Sequence, residues 1–577
     1  MVFVHSFTTL ATAVVSLLSL STATPVDRVS IEARQNDYFV IEGVKDGGVQ
    51  PRLNIRDLER KPENKEIWTL FLLGLQRLQA QNQKDKTSFY QVAGIHGQPW
   101  IPWDNVPSWT PDPGYGYCPH SGNLFSTWHR VYMLTYEQLI HSHALTVVNE
   151  IKDANTKTRF RTAASKLRLP YWDWAQKTPA GEHSIPTSLM SDTLSITYPN
   201  GTAGTIVNPL RKYTFHPLVS SDFPGAGFPY DRWTSTLRWP DDPQSPTAKD
   251  NIPAMHERFD GNVQMKRAGL YKIFKSYQVF NNFSNAALFD FRDPKMIGNL
   301  ETVHGTTHSD FANGHMEFPV VTAFDPIFWL HHANVDRQLA IWQAIYPTTW
   351  VERALNQNQG TYTLDAMNVP TDGNSPLTPF HRNKAGDFWT SNLVRDIKTL
   401  GYTYPELLNN PSNDTIKANI KNLYDDGTVK TVIKRQENGT HTSRDYNVRI
   451  ISPAGYSTFV YLGETTSENF VGVYSTLFDL GMAKTDRLFS NTVGLSSKII
   501  EAAEKGALKG TDEASVVEFL KKELKFKITD KDGVTVAPGE APNVEISVIS
   551  QLETIPESES EFPQIISVEE YHAIGGF

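Results

Sequence analysis

The stretch Cys118-Pro119-His120-Ser121-Gly122-Asn123-Leu124-Phe125-Ser126-Thr127-Trp128-His129-Arg130, running on to Glu137, decides how most of this chain is read. From Phe125 the residues Phe125, Trp128, Tyr132, Tyr136 and Leu139 recur at steps of three and four, the period of a helix with one buried face. His120 therefore falls in a loop and His129 in the first turns of a helix. A loop imidazole folded back beside a helical one can aim two ring nitrogens at one metal ion. Histidines at this spacing also arise as ordinary hydrogen-bonded core residues, so the stretch needs support from the rest of the chain.

Two further stretches supply that support. In Leu300-Glu301-Thr302-Val303-His304-Gly305-Thr306-Thr307-His308 the histidines stand at i and i+4 and share one helix face with Glu301. The zinc-protease pattern needs Glu directly after the first histidine; Gly305 stands there, which disfavours proteolysis by that mechanism. In Asp325-Pro326-Ile327-Phe328-Trp329-Leu330-His331-His332-Ala333-Asn334-Val335-Asp336, Asp325 suits an N-cap and Pro326 the first helical position. The buried stripe then runs Phe328, His332, Val335, Leu339, Trp342, so His332 faces the core. His331 shares a face with Asn334 and Gln338 and is expected beside the site or at the surface. One more histidine, His96, lies in the Gly-flanked loop Gly94-Ile95-His96-Gly97.

With His331 set aside, the histidines form two triplets: His96, His120, His129 and His304, His308, His332. Imidazole sets without carboxylate or thiolate suit Cu, Zn, Fe or Ni and point away from Mg, Ca and Mn. Two such sites at the usual two-metal spacing of roughly 3.5–4 Å would leave room for a small bridging molecule.

The remainder of the chain sets the frame. A length of 577 residues predicts two or more domains, and 39% hydrophobic with 20% charged residues is the balance of a soluble globular protein. A net charge of -9 argues against nucleic acid as a partner, because no basic surplus exists to displace counterions. Residues 1–23 read as a signal peptide, with the apolar run Phe7 to Leu20 ahead of Ser21-Thr22-Ala23. This predicts a secreted protein, extracellular or in the cell wall, and no later stretch is long enough for a membrane span. Residues 24–34 are predicted as a propeptide ending at Arg34. A helical domain is expected over 35–425, with a strand at Asp37–Val44 and a helix within Asn64–Gln81; from Tyr171-Trp172-Asp173-Trp174 to about Asn281 the Pro-, Ser- and Asp-rich chain reads as surface connections. A linker, 426–443, carries the dibasic pair Lys434-Arg435. Strands follow from Arg444 (Asn447–Ile451, Tyr456–Leu462, Phe470–Tyr474, Val544–Ile549), with a helix near Ala514–Leu524, making 444–577 a second, β-rich domain whose last thirty residues are acidic and partly mobile. Asn200, Asn282, Asn413 and Asn438 head glycosylation sequons. The single cysteine, Cys118, permits no internal disulfide.

The stretches His120–Glu137 and Asp325–Asp336 are similar to the two copper-binding signatures of tyrosinases, catechol oxidases and haemocyanins. The span from Pro51 to Tyr424, including Tyr171-Trp172-Asp173-Trp174 and Tyr402-Thr403-Tyr404, resembles fungal tyrosinases and polyphenol oxidases, the type 3 dicopper family, in a latent proenzyme form. The resemblance implies a mainly α catalytic domain, a four-helix bundle holding a dicopper centre, plus a smaller β-rich, sandwich-like C-terminal domain. It implies copper A on His96, His120 and His129, copper B on His304, His308 and His332, and a thioether between Cys118 and His120. Phe328 and Asp336 would stand behind the ligands, and Glu301 would hold a water. The implied activity is oxidation of small phenols, o-diphenols above all, to o-quinones with O2 as co-substrate, as in melanin formation. Many tyrosinases place Asn where this chain has Gly305, so that position is expected to set selectivity between monophenols and diphenols. The tail is implied to cover the site with an aromatic side chain, Phe459 or Tyr461, until an activating protease cuts near Lys434-Arg435. A catechol oxidase without monophenolase activity, a haemocyanin-like O2 carrier and a di-zinc hydrolase are the alternatives. Oligomeric state is not indicated.

Overall fold

Trp68, Leu70, Phe71, Leu75 and Leu78 bury one side of helix α1 (Lys65–Gln79), and the helix that carries His129, α2 (Phe125–Glu150), packs against it. The computed structural model describes residues 37–110, 116–225, 228–286, 288, 292–356, 360–364, 369–425, 434–435, 441–453, 455–476, 488–530, 533–537, 540–541, 543–558, 560–572 and 574–576. The expected signal peptide, the propeptide, Asn438 and most of the linker lie outside the described residues.

Around α2 stand α3 (Ala154–Lys166), α4 (Ile252–Ser276), α5 (Leu300–Ser309), α6 (Ile327–Ile345) and α7 (Asn413–Tyr424). Local signals start each one. Asn251 accepts from the Ala254 N–H at the head of α4, with Pro253 in its first turn; Asn299 and Thr302 form a reciprocal capping box on α5. On α6 the helix starts one residue later than predicted: Pro326 is the flanking residue, and Asp325 still accepts the Ile327 N–H at 3.0 Å.

Helix α4 corrects the reading of residues up to Asn281 as surface connections. Its 25 residues alternate Lys, Arg and Glu with apolar positions, and it is buried on one side by Met255, Phe259, Leu270, Ile273 and Phe274. The charges mask the period because its other face is also covered, as described below. Asp37–Val44 is likewise no strand; it runs extended, tied down by an Ile41 N–H bond to the His381 carbonyl.

The C-terminal part is a two-sheet structure. One sheet has the order β4-β1-β7-β8, built from β1 (His441–Pro453), β4 (Leu488–Gly494), β7 (Glu545–Thr554) and β8 (Ile565–His572). The other has the order β3-β2-β5-β6, from β2 (Ser457–Leu462), β3 (Phe470–Ser475), β5 (Leu524–Thr529) and β6 (Thr535–Val536). All these pairings are antiparallel. Val448 stands opposite Val493 on one side and Val548 on the other, and all three are fully buried in a core shared with Val460, Tyr474 and Phe526 of the second sheet. The last thirty residues, expected to be partly mobile, contribute paired strand: β8 binds β7 along its length. Lys434-Arg435 forms a two-residue strand against His441 and Thr442.

Candidate metal centre

His96 lies in the turn after the short helix Phe89–Gly94, His120 in the loop before α2, His129 on α2, His304 and His308 on α5, and His332 on α6. All are buried, and their ring nitrogens converge in two groups. In one, ligand atoms of His96, Cys118, His120 and His129 lie within 4.8 Å of one another; in the other, those of His304, His308, His331 and His332 do. The groups adjoin: the His129 and His332 rings stack at 4.1 Å and 8°.

Main-chain carbonyls choose the tautomers. The Nδ1 of His96 meets the Pro319 carbonyl at 2.7 Å, that of His129 the Phe125 carbonyl at 2.8 Å, that of His304 the Glu301 carbonyl at 3.0 Å, and that of His308 the Met316 carbonyl at 2.6 Å. A carbonyl only accepts, so Nδ1 carries the proton and donates, leaving Nε2 with a lone pair. The Nε2 of His96 has no partner among the described residues, and neither nitrogen of His332 has one. The Nε2 atoms of His304 and His308 stand 3.0 Å apart. Two lone pairs that close repel each other unless a cation lies between them, and this donor set fits a metal ion. Burial keeps these rings neutral, with neighbouring imidazoles adding to it for all but His308: His120 is pushed down to about 3 and His308 to about 4, and His96, His129, His304 and His332 fall well below the usual histidine range.

Phe328 packs at 4.3 Å from His332 and 5.0 Å from His96, and so supports both groups. Asp336 does not reach the imidazoles. It accepts from Arg130 at 2.6 Å, Arg52 at 3.1 Å, Tyr402 at 2.7 Å and Tyr404 at 2.6 Å in a wholly buried network that clamps α6 to α2. Burial alone would raise its carboxyl, but the guanidinium groups of Arg130 and Arg52 hold it below the usual range. Of the two places expected for His331, beside the site or at the surface, the structure shows the first. His331 is fully buried, its ring stacks on His304 at 5.0 Å, and Asn334 and Gln338 beside it enter a buried network with Tyr424 and Arg337. Helix α6 is enclosed all round, so its polar face is an interior face.

The Cys118 Sγ stands 3.4 Å from the His120 Nε2 and 3.3 Å from the His129 Nε2. Both Glu301 oxygens accept main-chain N–H groups, from Ser121 at 2.6 Å and Ala286 at 2.8 Å, which fixes the carboxylate at the rim of the centre. Phe125, which sequence reasoning used only as a periodic core residue, has its ring 4.8 Å from His129 and 4.9 Å from His304. Its place one turn before His129 was the available signal.

Above the centre lies a cavity of about 40 Å³, lined by His120, Ser121, Glu301 and Gly305 below and by Tyr474 and Phe489 of the C-terminal part above. Phe459 and Tyr461, the expected blocking residues, are elsewhere. Phe459 packs under the Arg258 guanidinium of α4 at 5.0 Å, and Tyr461 packs against Phe470 at 5.7 Å. Alternate residues of a strand face opposite ways, and in β2 it is Thr458 and Val460 that turn inward. Of the sequons, Asn200 is exposed at a turn and Asn282 lies in the short helix Phe280–Ser284, while the Asn413 amide donates to the Ile345 carbonyl at 2.5 Å.

The model for the common central domain of tyrosinase matches residues 86–345, and the model for the tyrosinase C-terminal domain matches residues 451–548. The chain belongs to the tyrosinase family. It is 37% identical to a tyrosinase of Neurospora crassa over 387 residues, 64% of this chain and 54% of that one. It is 35% identical to polyphenol oxidase 4 of Agaricus bisporus over 413 residues, 69% of this chain and 62% of that one. The chain thus spans between about half and two thirds of the length of these relatives. Among solved structures, mushroom tyrosinase in latent and active form superposes with a TM-score of 0.78 at 29% identity, covering 93% of this chain and 99% of that one. The Aspergillus oryzae apo-protyrosinase shares the fold, with a TM-score of 0.68 at 21% identity over 94% of this chain and 98% of that one. Members of the tyrosinase family use two copper ions, and the two histidine groups fit copper A and copper B. Among the described residues no helix is long and apolar enough to cross a membrane.

Proposed function

We infer that this tyrosinase-family chain is a type 3 copper phenol oxidase made in a latent form. The observation that carries the reading is the pair of adjoining imidazole groups, with Nδ1 protons turned onto carbonyls and lone pairs turned inward. His96, His120 and His129 would hold copper A, and His304, His308 and His332 copper B. Copper bound there supplies O2 binding and the oxidation of a small phenol to an o-quinone. The protein's part is to fix His96, His129, His304 and His308 by their Nδ1 nitrogens, keep the rings neutral, and exclude water behind Phe125 and Phe328.

Latency is supported by size. An apolar cavity of about 150 Å³ takes up benzene, whereas about 40 Å³ has room for roughly one water. A phenol ring therefore enters only when Tyr474 and Phe489 withdraw. An activating protease cutting in the 426–443 linker, with Lys434-Arg435 as its natural target, would release them. The thioether between Cys118 and His120, secretion after removal of residues 1–23, glycosylation and a role in melanin formation belong to the same reading. Gly305, which lines the cavity, is the position where selectivity between monophenols and diphenols would be set.

Copper analysis of the purified chain, with catechol oxidation before and after limited proteolysis, tests this. Two copper ions per chain and quinone formation that rises on proteolysis are expected. A zinc-loaded protein, or a copper protein that binds O2 without oxidising catechol, would select one of the alternatives instead.

A further inference from the structure

Ser121 follows the ligand His120 and sits in the left-handed region at φ +53, a conformation that side chains other than glycine and asparagine seldom adopt. The turn puts its N–H onto the Glu301 carboxylate at 2.6 Å and sets the residue in the wall of the cavity beside Gly305. Its hydroxyl is buried and has no partner among the described residues.

Three other hydroxyls lining the cavity have bonds of their own. Thr302 donates to the Asn299 carbonyl and accepts the Asn299 N–H in the capping box of α5. Thr476 donates to the Pro453 carbonyl, and Ser475 accepts from Ser457, both within the cover. Gly305 offers no side chain. We propose that the Ser121 hydroxyl is a specificity-determining group: together with Glu301 it holds one water in the covered form, and the hydroxyl of a phenolic substrate in the open form. The cavity, at about 40 Å³, matches a single water, and a buried hydroxyl next to a carboxylate supplies the two to four polar partners such a water needs. A monophenol has a single oxygen to anchor, so it depends on Ser121 more than an o-diphenol, whose second hydroxyl can reach Glu301 by itself.

This rests on the phenol-oxidase reading, and the test separates the two. Ser121→Ala and Ser121→Gly both remove the hydroxyl and keep the N–H to Glu301, but only glycine relieves the positive φ. In the full chain after limited proteolysis, both variants are expected to lose about fivefold or more in kcat/KM for a monophenol, with catechol within about twofold and copper content unchanged. Equilibrium binding of 4-nitrophenol, an electron-poor phenol, should weaken by a similar factor in both, which keeps the test decisive if monophenol turnover is slow. Unchanged 4-nitrophenol binding, equal losses on both substrates, or a deficit in one variant only would overturn the proposal while leaving the phenol-oxidase reading in place. A wild-type chain that binds copper but oxidises no catechol would overturn that reading and this proposal together.

Discussion

At the scale of single residues, the centre depends on which nitrogen of each ring is committed. His304 is caught twice, by the Glu301 carbonyl on Nδ1 and by the close approach of the His308 Nε2. Replacing it removes one ligand from one group only, so His304→Ala is expected to bind about one copper per chain in place of two, by metal analysis, and to lose catechol oxidation. Retention of two coppers would mean that His331, whose ring nitrogens already lie in that group, takes over. The triplets could be read from spacing and helix period alone, because a ligand's own position on its helix is a local property. The depth of His331 could not: its neighbours Asn334 and Gln338 are polar, and only the packing of α7 against α6 brings Tyr424 onto Gln338 and onto Arg337, the α6 partner of Asn334.

At the scale of elements, α4 joins the two parts. Arg258 stacks on Phe459, Gly261 lies against the Phe470 ring, Met265 meets Gly472, Lys272 pairs with Asp445 at 3.0 Å, and Lys275 pairs with Glu553 at 2.6 Å. These positions follow one another at steps of three, four, seven and three residues, so they share one face of the helix, which acts as a docking rail. The lysine–carboxylate pairs are buried, and removing one partner of such a pair typically costs about 3–5 kcal/mol. Lys275→Ala is therefore expected to raise catechol turnover of the full chain before any proteolysis. Burial would raise the Asp445 carboxyl, but Lys272 and then Lys275 outweigh it and hold the group at about 2 against an ordinary 3.8. A depressed carboxyl stabilises docking above its ordinary value and loses that contribution as pH falls through its docked value. The cover should accordingly separate between about pH 3.8 and pH 2, seen as a rise in radius of gyration by small-angle X-ray scattering. Lys272→Ala should move that rise to higher pH. Sequence pattern missed α4 because both of its faces are covered and one of them by charges, so no single apolar stripe stands out.

At the scale of the whole molecule, the latency proposed above is a matter of volume: among the described residues, Tyr474 and Phe489 of the C-terminal part line the space of about 40 Å³ above the two histidine groups. Limited proteolysis within 426–443 should raise catechol turnover with no change in bound copper, followed on one sample by quinone absorbance and metal analysis. A rise that tracks copper uptake instead would place the block at metal loading. The amino-acid sequence by itself determined the six imidazoles, their loop or helix settings, and the change from helical to strand pattern near Arg444, because period, caps and ligand spacing are written over a few neighbouring residues. Which side chains roof the centre was decided only by tertiary structure. Tyr474 and Phe459 sit in equally apolar strands, and the choice between them follows from how two distant sheets seat on α4, a contact between segments about two hundred residues apart that no local pattern records.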